Sequence, residues 1–281
     1  MNLLFDFSFF KFNFWCWLLL LLIESPNALA RTGQQIYACS NKVNPLVKRE
    51  ALLILPGFGD KKKRRKKQKA YFEQFDYDVF IADYKCRKSF DLTVDKFAAY
   101  YETNGLNRYE KVHVFSYVLG SWVINEYIQK NGRQNICTII YDRSPLQERA
   151  PKIVMEKIPL LGKIKVGKVL ADFSNKPYPT LLMDSIKIGI IVETKATSLV
   201  RFFKKTALSY GPLSWQPSDL QQPYDDLFYT PLNHDQMYTR FDVIGTEIIH
   251  FLEKNRFTKT ARRVMFDWNV FEKWKPTVND Y

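Results

Sequence analysis

The sequence predicts an α/β protein, a doubly wound and mostly parallel sheet with an inserted helical lid. Three observations predict it. Short runs rich in β-branched and aromatic residues recur without polar alternation, as strands buried on both faces require. Helical patterns separate these runs, so strand and helix alternate along the chain. One long stretch, about residues 145–185, breaks the alternation and reads as an insertion.

The elements follow in order. The run 51–55 (ALLIL) is the first strand, and PGFGD breaks it. Residues 62–75 are expected to be helix, and 78–82 (DVFIA) is the second strand. Residues 91–103 carry Val94, Phe97, Ala98 and Tyr101 on one helical face, with Asp91 as the expected N-cap. The third strand is KVHVF (111–115), and a turn leads from it into the helical run WVINEYIQK. The fourth is ICTIIY (136–141), where Ser144 would cap a following helix with Pro145 at its first position. Asp142 or Arg143, leaving that strand at its carboxyl end, could face a pocket.

The stretch about 145–185 is apolar and punctuated by Lys152, Lys157, Lys163, Lys165 and Lys168, which suits an amphipathic lid. The fifth strand is 186–192 and the sixth is centred on 227–229. A last helix is expected over 236–254, where Met237, Phe241, Ile244, Ile248 and Phe251 recur at helical spacing. The tail 257–281 carries Trp268 and Trp274, which are expected to pack on the body.

The N-terminal thirty residues differ in kind. An apolar centre from Phe14 to Ile23 leads to Ala28-Leu29-Ala30, a small-x-small pattern for cleavage before Arg31. Export by a signal peptide is the first reading. An uncleaved anchor is the second, although Asp6 and Lys11 would interrupt it, and a misassigned start is the third. Residues 31–281 then form one domain, a length that can bury a substantial core. Cys39, Cys86 and Cys137 allow at most one intramolecular disulfide and fit no zinc spacing. No metal and no cofactor is expected.

The net charge is +13, and Lys61, Lys62, Lys63, Arg64, Arg65, Lys66, Lys67 and Lys69 supply eight of the positive charges. The basicity is thus local. A solvated helix face is the plainest reading. An anionic lipid surface is the sharper one, because the run begins just beyond a strand's carboxyl end. Nucleic acid is not the expected partner, since no recognition module accompanies the run and no aromatic residue interleaves it.

Four stretches, taken in order, resemble the α/β-hydrolase superfamily of lipase and esterase kind over roughly 48–255. ALLILPGFGD is similar to its opening strand and oxyanion loop, and DYDVFIADY to its next strand. KVHVFSYVLGS is similar to the nucleophile elbow and PLNHDQMY to the loop bearing the histidine. The resemblance implies a base at His234 and backbone oxyanion donors at Phe58 and Leu119. It also implies that Gly120 lets a helix close on the sheet.

The departures bear on function. Where the family has its serine, this chain has Val118, which cannot attack a carbonyl. Either a strained valine or, more in keeping with β-branching, a relaxed turn is expected there. The acid is open between Glu193, which stands about three residues early, and Asp226, with Asp225 beside it; both aspartates precede the last strand. Ser116 and Ser121 are the alternative nucleophiles. The expected function is therefore a catalytically inactive hydrolase-fold protein that binds an apolar or acyl molecule or a partner. The alternatives are an ester or lipid hydrolase or acyltransferase with a displaced nucleophile, and a membrane-surface protein acting through the basic run.

Overall fold

A computed structural model describes residues 50–273. The expected export or anchor segment, Cys39 and Trp274 lie outside the described residues. Six strands form one sheet: β1 (Glu50–Leu55), β2 (Asp78–Ile81), β3 (Lys111–Ser116), β4 (Ile136–Arg143), β5 (Lys187–Lys195) and β6 (Asp226–Asn233). Their order is β2-β1-β3-β4-β5-β6 and every pairing is parallel. The chain moves outward from β1 to β2 and then restarts on the other side of β1. The carboxyl ends of β1 and β3 therefore flank the point where strand order reverses, the usual place for a site in an open α/β sheet.

Successive strand residues feed opposite cores. Ala51, Leu53 and Leu55 join one core with Val94 and Phe97 of α2 (Phe90–Thr103) and with Val123 and Ile124 of α3 (Val118–Asn131). Leu52 and Ile54 join the other, with Phe72 of α1 (Lys62–Phe72) and with Ile244 and Ile248 farther along the chain. Burial on both faces is why the strands read as unbroken apolar runs.

Several boundaries differ from the sequence reading, each for a local reason. The N-cap of α2 is Ser89, whose Oγ accepts the Leu92 N–H at 3.1 Å; Asp91 sits inside the first turn, where its charge suits the helix dipole. Ser144 accepts the Gln147 N–H at 3.0 Å, but the element that follows is a 3-10 turn, Gln147–Arg149, whose N-cap position is Leu146. After that turn come α4 (Ala150–Lys157), α5 (Pro159–Lys165) and α6 (Lys168–Asn175). Two short helices, α7 (Ser198–Phe202) and α8 (Lys204–Ser209), follow β5. The last helical stretch is split into α9 (His234–Met237) and α10 (Phe241–Lys254). The first piece starts two residues earlier than expected because Asn233 and Gln236 form a capping box that begins a helix at His234.

The described tail packs as expected. Trp268 stacks on Phe266 with 4.1 Å between ring centres, and Lys195 lies 4.1 Å from the centre of the Trp268 ring. Cys86 and Cys137 are free thiols.

Gly120 is required by close approach. A Cβ there would stand 2.6 Å from the Leu55 carbonyl oxygen and 2.7 Å from the Leu55 Cβ. In an open helix, replacing glycine by alanine gains roughly 1 kcal/mol. Here Gly120→Ala must push α3 off β1, so we expect a loss of roughly 1–3 kcal/mol in denaturant unfolding.

Candidate functional site

The site lies at the carboxyl ends of β1, β3, β4, β5 and β6. β3 ends at Ser116, Tyr117 follows in extended backbone (φ −80°, ψ 161°), and Val118 opens α3. Among the described residues the only non-glycines with positive φ are Gln134, Gln221 and Asn255. The turn is therefore relaxed at Val118, the conformation a β-branched residue favours. Val118 is buried in the core shared with α2.

His234 is fixed by the capping box that starts α9, immediately after β6. Its Nδ1 lies 2.7 Å from Glu193 Oε1 and 3.4 Å from Asp142 Oδ2. Glu193 needs no displacement along β5, because the strand runs on to Lys195 and carries Glu193 within its pairing to Thr230 of β6. Asp226 lies apart from this cluster. It stands at the amino end of β6, where it accepts the Phe257 N–H at 2.8 Å and pairs with Arg263 at 2.8 Å. Asp225 is held at that same end by Lys187 and the Ile188 N–H.

Asp142 is the second carboxylate of the cluster, supplied by the end of β4. Both acids are fully buried, and neither Asp142 oxygen nor Glu193 Oε2 makes a hydrogen bond. Their charge must be offset locally. Burial and the Asp142 charge hold the Glu193 carboxyl well above the usual carboxylate range. Burial alone would lower the His234 pKa, but the Glu193 charge, the Glu193 hydrogen bond and the nearby Asp142 charge outweigh it and push the imidazole up to about 10. Glu193 and His234 thus titrate as one coupled pair that holds its protons more tightly than the isolated groups would. The ligand-type atoms of Asp142, Glu193 and His234 lie within 4.8 Å of one another, close enough to surround one cation.

The other face of the ring meets a tyrosine. His234 Nε2 is 3.5 Å from the Tyr238 hydroxyl, which also accepts the Gly57 N–H at 3.0 Å. Tyr238 stacks on Tyr117 with 4.0 Å between ring centres and 8° between planes. Both tyrosines are completely buried. From outside, Arg64 lies 5.0 Å from the centre of the Tyr238 ring and donates to the Gly59 carbonyl at 2.6 Å. The loop N–H and the imidazole Nε2 thus meet at one oxygen, and the protein supplies that oxygen itself.

The remaining expected residues fall elsewhere. In the loop after β1, Gly57 supplies the donor to the site, one residue before Phe58, whose ring packs edge-on against Phe173. Leu119 is buried in the first turn of α3. Ser116 and Ser121 are buried and lie 3.2 Å apart through their hydroxyls, with Ser116 also 3.4 Å from the Ile140 carbonyl. They face each other and the strand rather than the histidine. Sequence reasoning missed Tyr117 and Tyr238. The signal for Tyr238 was its place four residues after His234, one helical turn on.

Solved structures share this arrangement of chain. A Bacillus megaterium epoxide hydrolase in complex with an inhibitor matches at a TM-score of 0.50 and 12% identity, over 73% of this chain and 94% of that one. A bromoperoxidase from Bacillus anthracis matches at a TM-score of 0.50 and 10% identity, over 74% and 93%. The chain has the α/β-hydrolase fold. Neither a protein-family model nor a curated protein sequence matches it. Within this α/β-hydrolase fold, the carboxylate–histidine pair stands at the sheet's carboxyl edge beside two tyrosines.

The buried cluster dictates a pH dependence. Both Glu193 and His234 bind protons more tightly folded than unfolded. The His234 contribution is complete below its unfolded pKa of about 6.5 and is lost as pH rises toward about 10. Unfolding free energy should therefore fall over that window. In Glu193→Gln the histidine loses its main charge partner, and the slope should flatten; an unchanged slope in the variant would contradict the assignment.

Proposed function

We propose that this protein is a non-hydrolytic member of the α/β-hydrolase fold, whose reaction centre is filled by its own side chains. The observation that carries the reading is the contact of His234 Nε2 with the Tyr238 hydroxyl, where a serine hydrolase would present a nucleophile. Two further facts support it. Val118 starts a relaxed helix and offers no attacking atom. An imidazole whose pKa is pushed up to about 10 already holds the proton that a general base would need to accept.

The partnership with Glu193 is structural on this reading. It neutralises a buried acid and seats α9 on the sheet. An apolar or acyl ligand, the expectation raised by the resemblance, would have to lift Tyr238 from its stack on Tyr117 and break its bond to Gly57. The alternative of a displaced nucleophile needs Ser116 or Ser121 to leave the buried pair that they form. The apolar N-terminal segment supports export or membrane anchoring. Among the described residues no helix is long and apolar enough to cross a membrane.

Purified protein should neither turn over short-chain nitrophenyl esters nor label with a fluorophosphonate probe. Val118→Ser should remain unlabelled, because the hydroxyl would be presented by a relaxed helix start beside an imidazolium. Labelling or turnover that disappears in Ser116→Ala, Ser121→Ala or Tyr238→Phe would contradict the proposal and identify the nucleophile.

A further inference from the structure

The basic run divides by role once it is folded. Arg64 pairs with Asp235 at 2.7 Å, and Arg65 pairs with Asp60 at 2.6 Å and with Asp83 at 3.3 Å. Lys69 pairs with Glu73 within the helix. These three residues hold α1 to the domain. Lys61, Lys62, Lys63, Lys66 and Lys67 do not: all five are exposed, and none pairs with a carboxylate among the described residues. The bordering carboxylates are already engaged, Asp60, Asp83 and Asp235 as above and Asp242 by Arg240 at 2.6 Å. None of the five therefore makes an ion pair among the described residues, and Lys67 lies near enough to a carboxylate, Asp242, to help hold its pKa down.

Their position opposes helix stability. α1 opens with no side-chain cap and no acidic residue in its first turn, so cations crowd the positive end of the helix dipole. A local choice made against the fold's own stability marks a surface with another use.

A second feature lies on the same rim. α5 exposes Leu160 and Ile164, at 69% and 55%, four residues apart and so on one face. Exposed Lys157 and Lys163 flank them. The Arg87 guanidinium, from the loop that follows β2, donates to the Ile164 carbonyl and ties α5 to that rim. Asp83 and Lys85 of the same loop meet α1 and its leading loop through Arg65 and Asp60.

We propose that this rim docks on an anionic lipid surface, with the α1 lysines at the headgroups and Leu160 and Ile164 entering the acyl boundary. An apolar pair set among lysines suits the membrane interface. Nucleic acid would call for stacking aromatics or arginine forks, and the exposed face of α1 carries neither. The proposal is independent of whether the buried centre reacts.

The test uses the full chain and vesicles of phosphatidylcholine with and without phosphatidylserine. The apolar N-terminal segment can bind both, so the measured quantity is the gain in affinity on adding phosphatidylserine. That gain should be about tenfold or more at low salt and should shrink as salt rises. A variant with all five lysines changed to glutamine should lose the gain while keeping its circular dichroism spectrum. Leu160→Ser with Ile164→Ser should weaken binding to the anionic vesicles with the salt slope unchanged. A wild-type protein showing no gain, a five-lysine variant keeping it, or a single-stranded oligonucleotide bound more tightly than the anionic vesicles at the same salt would each overturn the proposal.

Discussion

Two buried carboxylates are the constraint on which the centre of this molecule depends. Asp142 and Glu193 leave adjacent strands at their carboxyl ends and are fully buried. Burial of that kind is costly unless a cation or a proton offsets the charge. His234 supplies the offset at 2.7 Å from Glu193. Its position is set by the Asn233–Gln236 capping box, which begins a helix at the one residue able to neutralise the pair. The same helical turn brings Tyr238 onto the far side of the ring, so charge balance and closure of the site come from one short element.

The sheet and the site have different tolerance for change. The sheet needs close helix packing, and the chain keeps glycine at residue 120, where a Cβ would strike Leu55. The turn between β3 and α3 carries a valine in relaxed backbone, and the loop donor at Gly57 is met by a tyrosine hydroxyl. Arg64 completes this closure from the surface, which explains why an arginine stands amid a run of lysines.

Much of the fold was legible because it rests on one-dimensional patterns. Unalternating apolar runs named the strands, and β1, β3 and β4 fall where ALLIL, KVHVF and ICTIIY place them. Boundaries governed by side-chain caps were less legible: Ser89 displaced Asp91 as the cap, and the capping box at Asn233 moved the start of the last helical stretch back to His234. His234 was legible from its place after the last strand. Glu193 stayed one of two candidates because sequence spacing cannot show how far β5 continues, and only the continuation to Lys195 settles its register. The Tyr117–Tyr238 stack joins residues far apart in sequence, so no local pattern announces it.

The central claim is that His234 is an imidazolium clamped between Glu193 and Tyr238 rather than a base awaiting a nucleophile. Nitrogen NMR of the imidazole rings tests this most directly, since the chain has only three histidines and His113→Gln with His250→Gln leaves a single signal. The account predicts that both His234 nitrogens stay protonated at neutral pH and titrate only near pH 10. A neutral His234 ring at pH 7, with Nε2 unprotonated, would contradict it.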